Sequence, residues 1–139
     1  MSDLFVDTSG WVCHFDRAQP QHAEATGLIV ACASQGRRLI TTDYVICEVV
    51  SLLTSRRRVP RSKMIECVDA LLSWDRLDVV HVDRDLATHA WTLLKDRSDK
   101  HWSLVDCASF VVMQQRGLRQ ALTSDRHFEQ AGFIRLLTS

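Results

Sequence analysis

The segment LFVDTSGW, residues 4–11, decides the fold that we predict for this chain. Its apolar start, Leu4 to Val6, suits a buried strand, and Asp7 and the small polar residues after it suit a turn into a helix. The same succession of a short aliphatic run and a longer helical pattern recurs along the 139 residues, which include only five Gly and two Pro. This alternation predicts βαβ units, a parallel sheet and one α/β domain over residues 1–139.

Outward from this segment, the pattern predicts five strands separated by helices. The strands are expected at Leu4–Val6, Leu39–Thr41, Leu77–Val82, Gln120–Thr123 and Phe133–Leu137. After the small polar residues Thr8, Ser9 and Gly10, one helical stretch is expected to run through about Ala33. A second, with Thr42 or Asp43 as its N-cap, is expected to run to about Arg56. Further helices are expected to open at Pro60 or Arg61, after a cap at Asp83, and at Ser103, where Asp106 completes a capping box.

Composition limits the function classes. The 17 Lys and Arg balance 17 Asp and Glu, so the formal net charge is zero and a strong nonspecific polyanion binder is excluded. The first residues lack a signal-peptide pattern and no stretch has the length of a membrane span, so we expect a soluble, cytoplasmic protein without membrane attachment. Five widely spaced Cys without a C-x-x-C pair argue against a disulfide framework or a thiolate zinc site.

Four carboxylates lie in apolar surroundings, where charged residues are uncommon. They are Asp7, Glu48, Asp106 and Asp125. Each has a structural alternative: a turn or cap for Asp7, a capping box for Asp106, and an N-cap of residues 126–130 for Asp125. Glu48, in the middle of VICEVVSLL, requires either a cleft or a buried Arg or Lys partner.

Taken together, the four carboxylates indicate a metal site. Three of them follow predicted strands or begin the next helix, and ligands of open parallel sheets bind outside the carboxyl ends of the strands. Clustered carboxylates stay ionised only beside a cation, and Mg²⁺ and Mn²⁺ take oxygen ligands. Such ions activate water and stabilise the leaving oxygen of a phosphodiester.

The motifs FVDTSGW, TTDYVICEVVSLL, SLVDCASFVVMQQRGL and ALTSDRHFEQAGF, in this order and spacing, resemble the PIN-domain proteins. The resemblance is greatest to the VapC-type toxin ribonucleases of prokaryotic toxin–antitoxin systems. It implies a three-layer α/β/α sandwich with a central parallel sheet of about five strands. It also implies an endoribonuclease that depends on Mg²⁺ or Mn²⁺.

The family's acidic positions correspond to the same four residues, Asp7, Glu48, Asp106 and Asp125. In this interpretation Asp7, Asp106 and Asp125 hold the metal, and Glu48 ligates or orients the attacking water. Asp99 also resembles an acidic position of many relatives, although a solvated surface Asp is its alternative. Small hydroxyl residues that would orient ligands are Thr8, Ser9 and Ser103, for which capping and turn formation are equally good explanations.

Basic residues give a second, weaker signal. A run at residues 56–63 predicts either a solvated turn or a rim that contacts phosphates in a salt-sensitive way. Further basic and aromatic residues, among them His127, lie near the predicted acidic edge within reach of RNA, with Trp102 as a stacking candidate. The candidates for RNA contact are Arg57, Arg58, Arg61, Lys100, Trp102 and Arg126.

The resemblance also implies partners, namely an RNA substrate, a small cognate antitoxin and a second copy in a homodimer. Two enzymatic alternatives are a stand-alone RNA-processing nuclease and an aspartate-nucleophile phosphohydrolase. The latter requires a second Asp at position 9, where the chain has Ser. A non-catalytic PIN-like binding module is the remaining alternative, but such modules are expected to lose some of the carboxylates that are all present here.

Overall fold

A computed structural model describes residues 2–55 and 59–138 of the chain. Five parallel strands form one sheet: β1 (Leu4–Val6), β2 (Leu39–Thr42), β3 (Leu77–Val80), β4 (Gln120–Leu122) and β5 (Ile134–Arg135). The helices are α1 (Thr8–Phe15), α2 (His22–Ser34), α3 (Asp43–Ser55), α4 (Arg61–Leu72), α5 (Arg84–Asp96), α6 (Leu104–Gln115) and α7 (His127–Gln130). In the described ranges, no helix has the length and apolarity needed to cross a bilayer.

In the strand order β3-β2-β1-β4-β5, β2 and β3 are added on one side of β1, and β4 and β5 on the other. The order in which strands are added therefore reverses between β1 and β4. Phe5 pairs with Ile40 on one side and with Ala121 on the other. Right-handed crossovers between parallel strands place α1 to α4 on one face and α5 and α6 on the other. The predicted α/β/α architecture with a five-stranded parallel sheet is therefore confirmed, and its ligand crevice is expected where β1 meets β4.

A cluster of aromatic rings links β1, α6 and α7 in the core. Phe5 and Phe128 are fully buried, and their ring centroids lie 6.3 Å apart. Phe110 of α6 meets Phe128 edge to face at 4.9 Å and lies 5.8 Å from Phe133. Aromatic pairs of this kind stabilise a core by about 0.5–1.5 kcal/mol each beyond their burial. They attach the start of α7, which follows β4, firmly to the sheet.

The predicted helix caps at Asp83 and Ser103 are present. The Asp83 side chain accepts the N–H of Leu86. Ser103 and Asp106 exchange backbone and side-chain hydrogen bonds in a full capping box at the start of α6. Side chains that satisfy the free N–H groups of a first turn fix where a helix begins.

The structure corrects three predicted boundaries. The single helical stretch predicted to follow Gly10 and run through Ala33 is two helices, the first of which already begins at Thr8. They are separate because the buried Asp16 carboxylate accepts hydrogen bonds from the Ala18 N–H and the Gln19 side chain and closes a turn. The third strand ends at Val80 rather than Val82, and the fifth is only Ile134–Arg135. The predicted helix end at Arg56 lies outside the described residues.

Candidate active site

A cavity of about 450 Å³ opens at the carboxyl edge of the sheet. All four carboxylates from the apolar stretches line it. Asp7 follows β1, Glu48 lies on α3, Asp106 lies in the first turn of α6, and Asp125 lies between β4 and α7. The fold thus brings together four side chains from four separate parts of the chain.

Asp7 is the most deeply placed of these carboxylates, with 4% of its surface exposed. Its pKa is raised from 3.8 to about 7, mainly by burial and in addition by the negative charges of Asp106 and Asp125. The backbone N–H of Thr8 and the hydroxyl of Thr123 act in the opposite direction and lower the pKa. A carboxylate that resists ionisation because of its burial and acidic neighbours is stabilised by a cation.

A chain of hydroxyl groups ties Asp7 to the segment after β4. Thr123 Oγ1 donates to Asp7 Oδ2 over 2.9 Å and accepts the N–H of Asp125 at 3.0 Å. Since Thr123 has one hydroxyl hydrogen, Ser9 Oγ, 3.0 Å away, is the donor between these two hydroxyls. Ser9 in turn accepts the N–H of Ser124 at 2.9 Å. These bonds fix the Asp7 carboxylate relative to the loop that carries Asp125.

Asp106 has a structural role and also faces the cavity. Its Oδ2 accepts the N–H of Ser103 at 3.1 Å, as the capping box requires. The same oxygen lies 2.9 Å from His127 Nδ1. The capping alternative for Asp106 is therefore correct, and it leaves the carboxylate on the cavity wall. Ser103, predicted as an orienting hydroxyl, donates its backbone N–H to this carboxylate, whereas its hydroxyl accepts the backbone N–H of Asp106.

Asp125 and His127 complete a compact ligand group with Asp106. One ligand atom from each of the three residues lies within 4.8 Å of the others. Asp125 Oδ1 accepts the backbone N–H of His127 at 2.9 Å and lies 3.4 Å from its Nδ1. The N-cap of α7 is Arg126 rather than the predicted Asp125, although the Asp125 carboxylate accepts the N–H of the first helical residue, His127. Two carboxylates and an imidazole at this spacing form a donor set suited to a divalent cation.

Glu48 faces the cavity from α3, as its apolar surroundings in the sequence suggested. Its Oε1 accepts a hydrogen bond from Thr8 Oγ1 over 2.5 Å, and Thr8 is itself buried. Thr8 lies in the first turn of α1, directly after Asp7. Of the two predicted hydroxyl residues, Thr8 contacts the Glu48 carboxylate directly. Ser9 is linked to the Asp7 carboxylate through Thr123.

Two sequence-based assignments are corrected by the structure. Asp99 is 59% exposed at its side chain and receives hydrogen bonds from Arg97 at 3.0 and 3.1 Å, with Lys100 Nζ 3.9 Å away. It is absent from the cavity wall and is therefore not placed as a metal ligand. Trp102 is only 7% exposed, because Phe110 packs against its ring at 5.0 Å and the Arg97 guanidinium lies over it at 5.3 Å. Its ring face is not available for stacking on a base.

The remaining candidates for RNA contact are spread over the surface. Arg126 is exposed and adjacent to Asp125, and Arg61 is exposed at the start of α4. The Lys100 ammonium group lies 3.9 Å from the Asp99 carboxylate, outside the cavity wall. Arg57 and Arg58 lie outside the described residues.

Sequence reasoning missed the role of two residues. Thr123 was not assigned a function, although its T-x-D spacing to Asp125 places its hydroxyl beside that residue's N–H. His127 was considered only as an RNA contact, whereas its ring lies against Asp106 and Asp125. The D-x-H spacing of Asp125 and His127 was the available signal. It does not reveal the contact of His127 with Asp106, which depends on the packing of α6 beside α7.

Comparison with known proteins gives a consistent family assignment. The PIN domain profile matches residues 4–134. The 23S rRNA-specific endonuclease VapC20 of Mycobacterium tuberculosis is 32% identical over 131 residues, which are 94% of this chain and 95% of that protein. Ribonuclease VapC26 of the same species is 26% identical over 126 residues, or 90% and 89% of the two chains.

Solved structures agree with this assignment. The crystal structure of Mycobacterium tuberculosis VapC20, described as a toxin that cleaves the sarcin-ricin loop, has a TM-score of 0.83 over 95% of this chain and 97% of that chain. VapBC2 from Rickettsia felis, at 12% identity and a TM-score of 0.66 over 95% and 96% of the chains, shares the fold. The chain therefore belongs to the PIN-domain family, as a member related to the VapC proteins.

Proposed function

We propose that this protein is a metal-dependent endoribonuclease that hydrolyses RNA phosphodiester bonds with water. The observation that carries the proposal is the convergence of four carboxylates on one cavity, at the sheet edge where β1 and β4 are neighbours. They are Asp7, Glu48, Asp106 and Asp125. The 32% identity to a ribosomal RNA endonuclease over nearly the whole chain supports RNA as the substrate. A binding module without catalysis has no need for four carboxylates in one cavity.

The donor set fits a divalent metal. Four carboxylates and the His127 imidazole line the cavity, and the raised pKa of Asp7 means that its ionised form needs a nearby positive charge. We assign Asp7, Asp106 and Asp125 as the residues that hold Mg²⁺ or Mn²⁺, directly or through water. When bound, such an ion supplies a water of lowered pKa and offsets charge on the phosphate oxygens.

The chain's own residues then perform the remaining tasks. Glu48, oriented by the Thr8 hydroxyl through Oε1, accepts the proton of the attacking water or aligns it with the phosphorus. Thr123 and Ser9 keep Asp7 and Asp125 at a fixed separation. No side chain is needed as a nucleophile, because water attacks the phosphorus directly. Arg126 lies beside Asp125 and meets the phosphate backbone of the substrate.

The proposal includes a toxin role with a cognate antitoxin. A second cavity of about 590 Å³ lies among α1, α2 and α4, with Phe15, Ile29, Leu71 and Trp74 in its apolar wall. Arg17 and Lys63 give this groove positively charged borders. A short antitoxin segment with apolar and acidic residues has the matching chemistry. A homodimer in the cytoplasm belongs to the same proposal, and light scattering of the purified protein tests the dimer.

The decisive experiment is cleavage of RNA by the purified protein with Mg²⁺ or Mn²⁺. A 23S rRNA fragment is the first substrate to test, because the VapC20 relative is specific for that RNA. We expect cleavage to stop with a chelator and in Asp106→Asn, while Asp69→Asn, an exposed carboxylate on α4, remains active. Circular dichroism establishes that each variant is folded. Cleavage that persists both in chelator and in the Asp106→Asn variant contradicts the proposal.

A further inference from the structure

The His127 imidazole is held against the two carboxylates of the ligand group. Its Nδ1 lies 2.9 Å from Asp106 Oδ2 and 3.4 Å from Asp125 Oδ1. The backbone of His127 is fixed as well, because its N–H donates to Asp125 and the next residue, Phe128, is fully buried among aromatic rings. Helix α7 therefore holds the ring beside the acidic group.

We propose that His127 is a direct ligand of the catalytic cation, which it binds together with Asp106 and Asp125. As a consequence, this site prefers Mn²⁺ to Mg²⁺. This inference rests on the proposed function, since it assigns a ligand and a metal preference to the same site.

The spacing of the three ligand atoms suits a common cation. Metal–ligand bonds of about 2.1 Å in octahedral geometry place neighbouring ligand atoms about 3 Å apart. The distances of 2.9 and 3.4 Å from His127 Nδ1 to the two carboxylate oxygens are close to this value. The imidazole thus occupies a position from which it can share a cation with both acids without a large movement of the backbone.

The metal preference follows from the nature of the donors. Mg²⁺ binds oxygen ligands and keeps several of its waters, whereas imidazole nitrogen is mainly a ligand of transition metals. Mn²⁺ shares the preference of Mg²⁺ for carboxylate oxygens and has the lowest affinity among the first-row divalent transition metals, but as a transition metal it accepts an imidazole nitrogen more readily than Mg²⁺ does. Replacing an oxygen donor by Nδ1 therefore weakens Mg²⁺ binding more than Mn²⁺ binding.

Pulsed electron paramagnetic resonance of the Mn²⁺-loaded full-length protein tests the ligand directly, without reference to activity. We expect nitrogen hyperfine coupling typical of a directly bound imidazole, and its isotopic change when histidine is labelled with ¹⁵N. The coupling is lost in His127→Gln and is retained in His101→Gln. His101 is the matched control, because it lines the same cavity but lies outside the compact ligand group.

Calorimetric titration tests the metal preference. The Mn²⁺ affinity of His127→Gln is expected to fall about 10-fold or more, because the loss even of a residue that only orients a metal ligand costs about 10- to 100-fold in affinity. Its Mg²⁺ affinity is expected to change by a clearly smaller factor. Equal losses for the two metals contradict the proposed preference.

The possible failures are distinguishable. If Mn²⁺ binds the wild-type protein without direct nitrogen coupling, or if the coupling survives in a folded His127→Gln variant, His127 is not a ligand although the metal site stands. If neither metal binds, the proposed function fails as well. Should His127→Gln not fold, the ¹⁵N experiment on wild-type protein together with His101→Gln decides the question, because only these two histidines line the cavity among the described residues.

Discussion

Thr123 donates its hydroxyl hydrogen to the Asp7 carboxylate and accepts the backbone N–H of Asp125. One hydroxyl group therefore sets the relation between two acids that lie near opposite ends of the sequence. It can do so because β1 and β4 are neighbours in the sheet, with Val6 paired to Leu122. The segments that follow these paired residues carry the two carboxylates.

Replacing Thr123 by Val is expected to uncouple the two acids. Valine has a similar shape but neither donates to Asp7 nor accepts from Asp125. We expect Mn²⁺ affinity and RNA cleavage to fall about 10- to 100-fold, the scale found for residues that orient metal ligands. Thr123→Ser keeps the hydroxyl and is expected to stay close to wild type. Equal activity of the Val and Ser variants contradicts a positioning role for the hydroxyl.

Asp7→Asn is expected to stabilise the metal-free protein above neutral pH. The pKa of Asp7 is about 7 in the folded protein, against an ordinary value of 3.8, so folded protein binds a proton more tightly than unfolded protein. The contribution of Asp7 to the free energy of unfolding therefore decreases as pH rises from about 4 to about 7. Removing the ionisable group abolishes this loss, which is on the order of a few kcal/mol.

Urea unfolding in chelator at pH 5 and pH 8 measures this effect. The stability advantage of Asp7→Asn over wild type is expected to be larger at pH 8 than at pH 5. Asp69→Asn, which replaces an exposed acid, serves as the control and is expected to show no comparable difference. Added Mn²⁺ is expected to raise the stability of wild type much more than that of Asp7→Asn, because it binds the folded state. An advantage of Asp7→Asn that does not grow with pH contradicts the assignment.

Gly10→Ala is expected to destabilise the fold and disturb the cavity. A Cβ added at position 10 would overlap the backbone oxygen of Leu122, which cannot move without shifting β4. We expect a loss of about 1–3 kcal/mol, as for an overpacked core. Gly27→Ala, in the middle of α2 with open space around it, is the control and is expected to stabilise by about 0.5–1 kcal/mol. Thermal unfolding of the two variants provides the comparison.

Arg126→Gln is expected to weaken RNA binding and to reduce its salt dependence. Arg126 is exposed beside Asp125 at the carboxyl edge of the sheet. Arg119, also exposed, directly precedes β4 at the opposite edge and is the matched control. Loss of one phosphate contact lowers the slope of log affinity against log salt by about one. RNA titrations with a metal-free or inactive variant check this, and equal effects of the two substitutions contradict a contact specific to Arg126.

The sequence predicted the sheet and the four carboxylates because both depend on local patterns. A buried strand such as Leu4–Val6 is a short apolar run, and an acid directly after it stands out. The boundaries that failed depend on tertiary contacts. The turn that separates α1 from α2 is closed by the buried Asp16, a residue whose role is invisible without the packing around it.

The site was predictable as a list of acids but not as a geometry. The Ser9 and Thr123 hydroxyls meet across the boundary between β1 and β4, and His127 meets Asp106 only because α6 ends up beside α7. Trp102 shows the opposite error, since a tryptophan in a polar segment appeared suited to stacking on bases. Phe110 and Arg97 cover its ring, which the local sequence does not reveal.

Because the cavity lies across the boundary between β1 and β4, the site can form only when these two strands are paired. Asp7 directly follows the first strand and Asp125 follows the fourth, and the Asp7 N–H donates to the Leu122 carbonyl of β4. A folding intermediate that contains only β1, β2 and β3 has no place for Asp125 or His127 and therefore no nuclease centre. The complete set of carboxylates therefore exists only in molecules in which β4 is paired with β1.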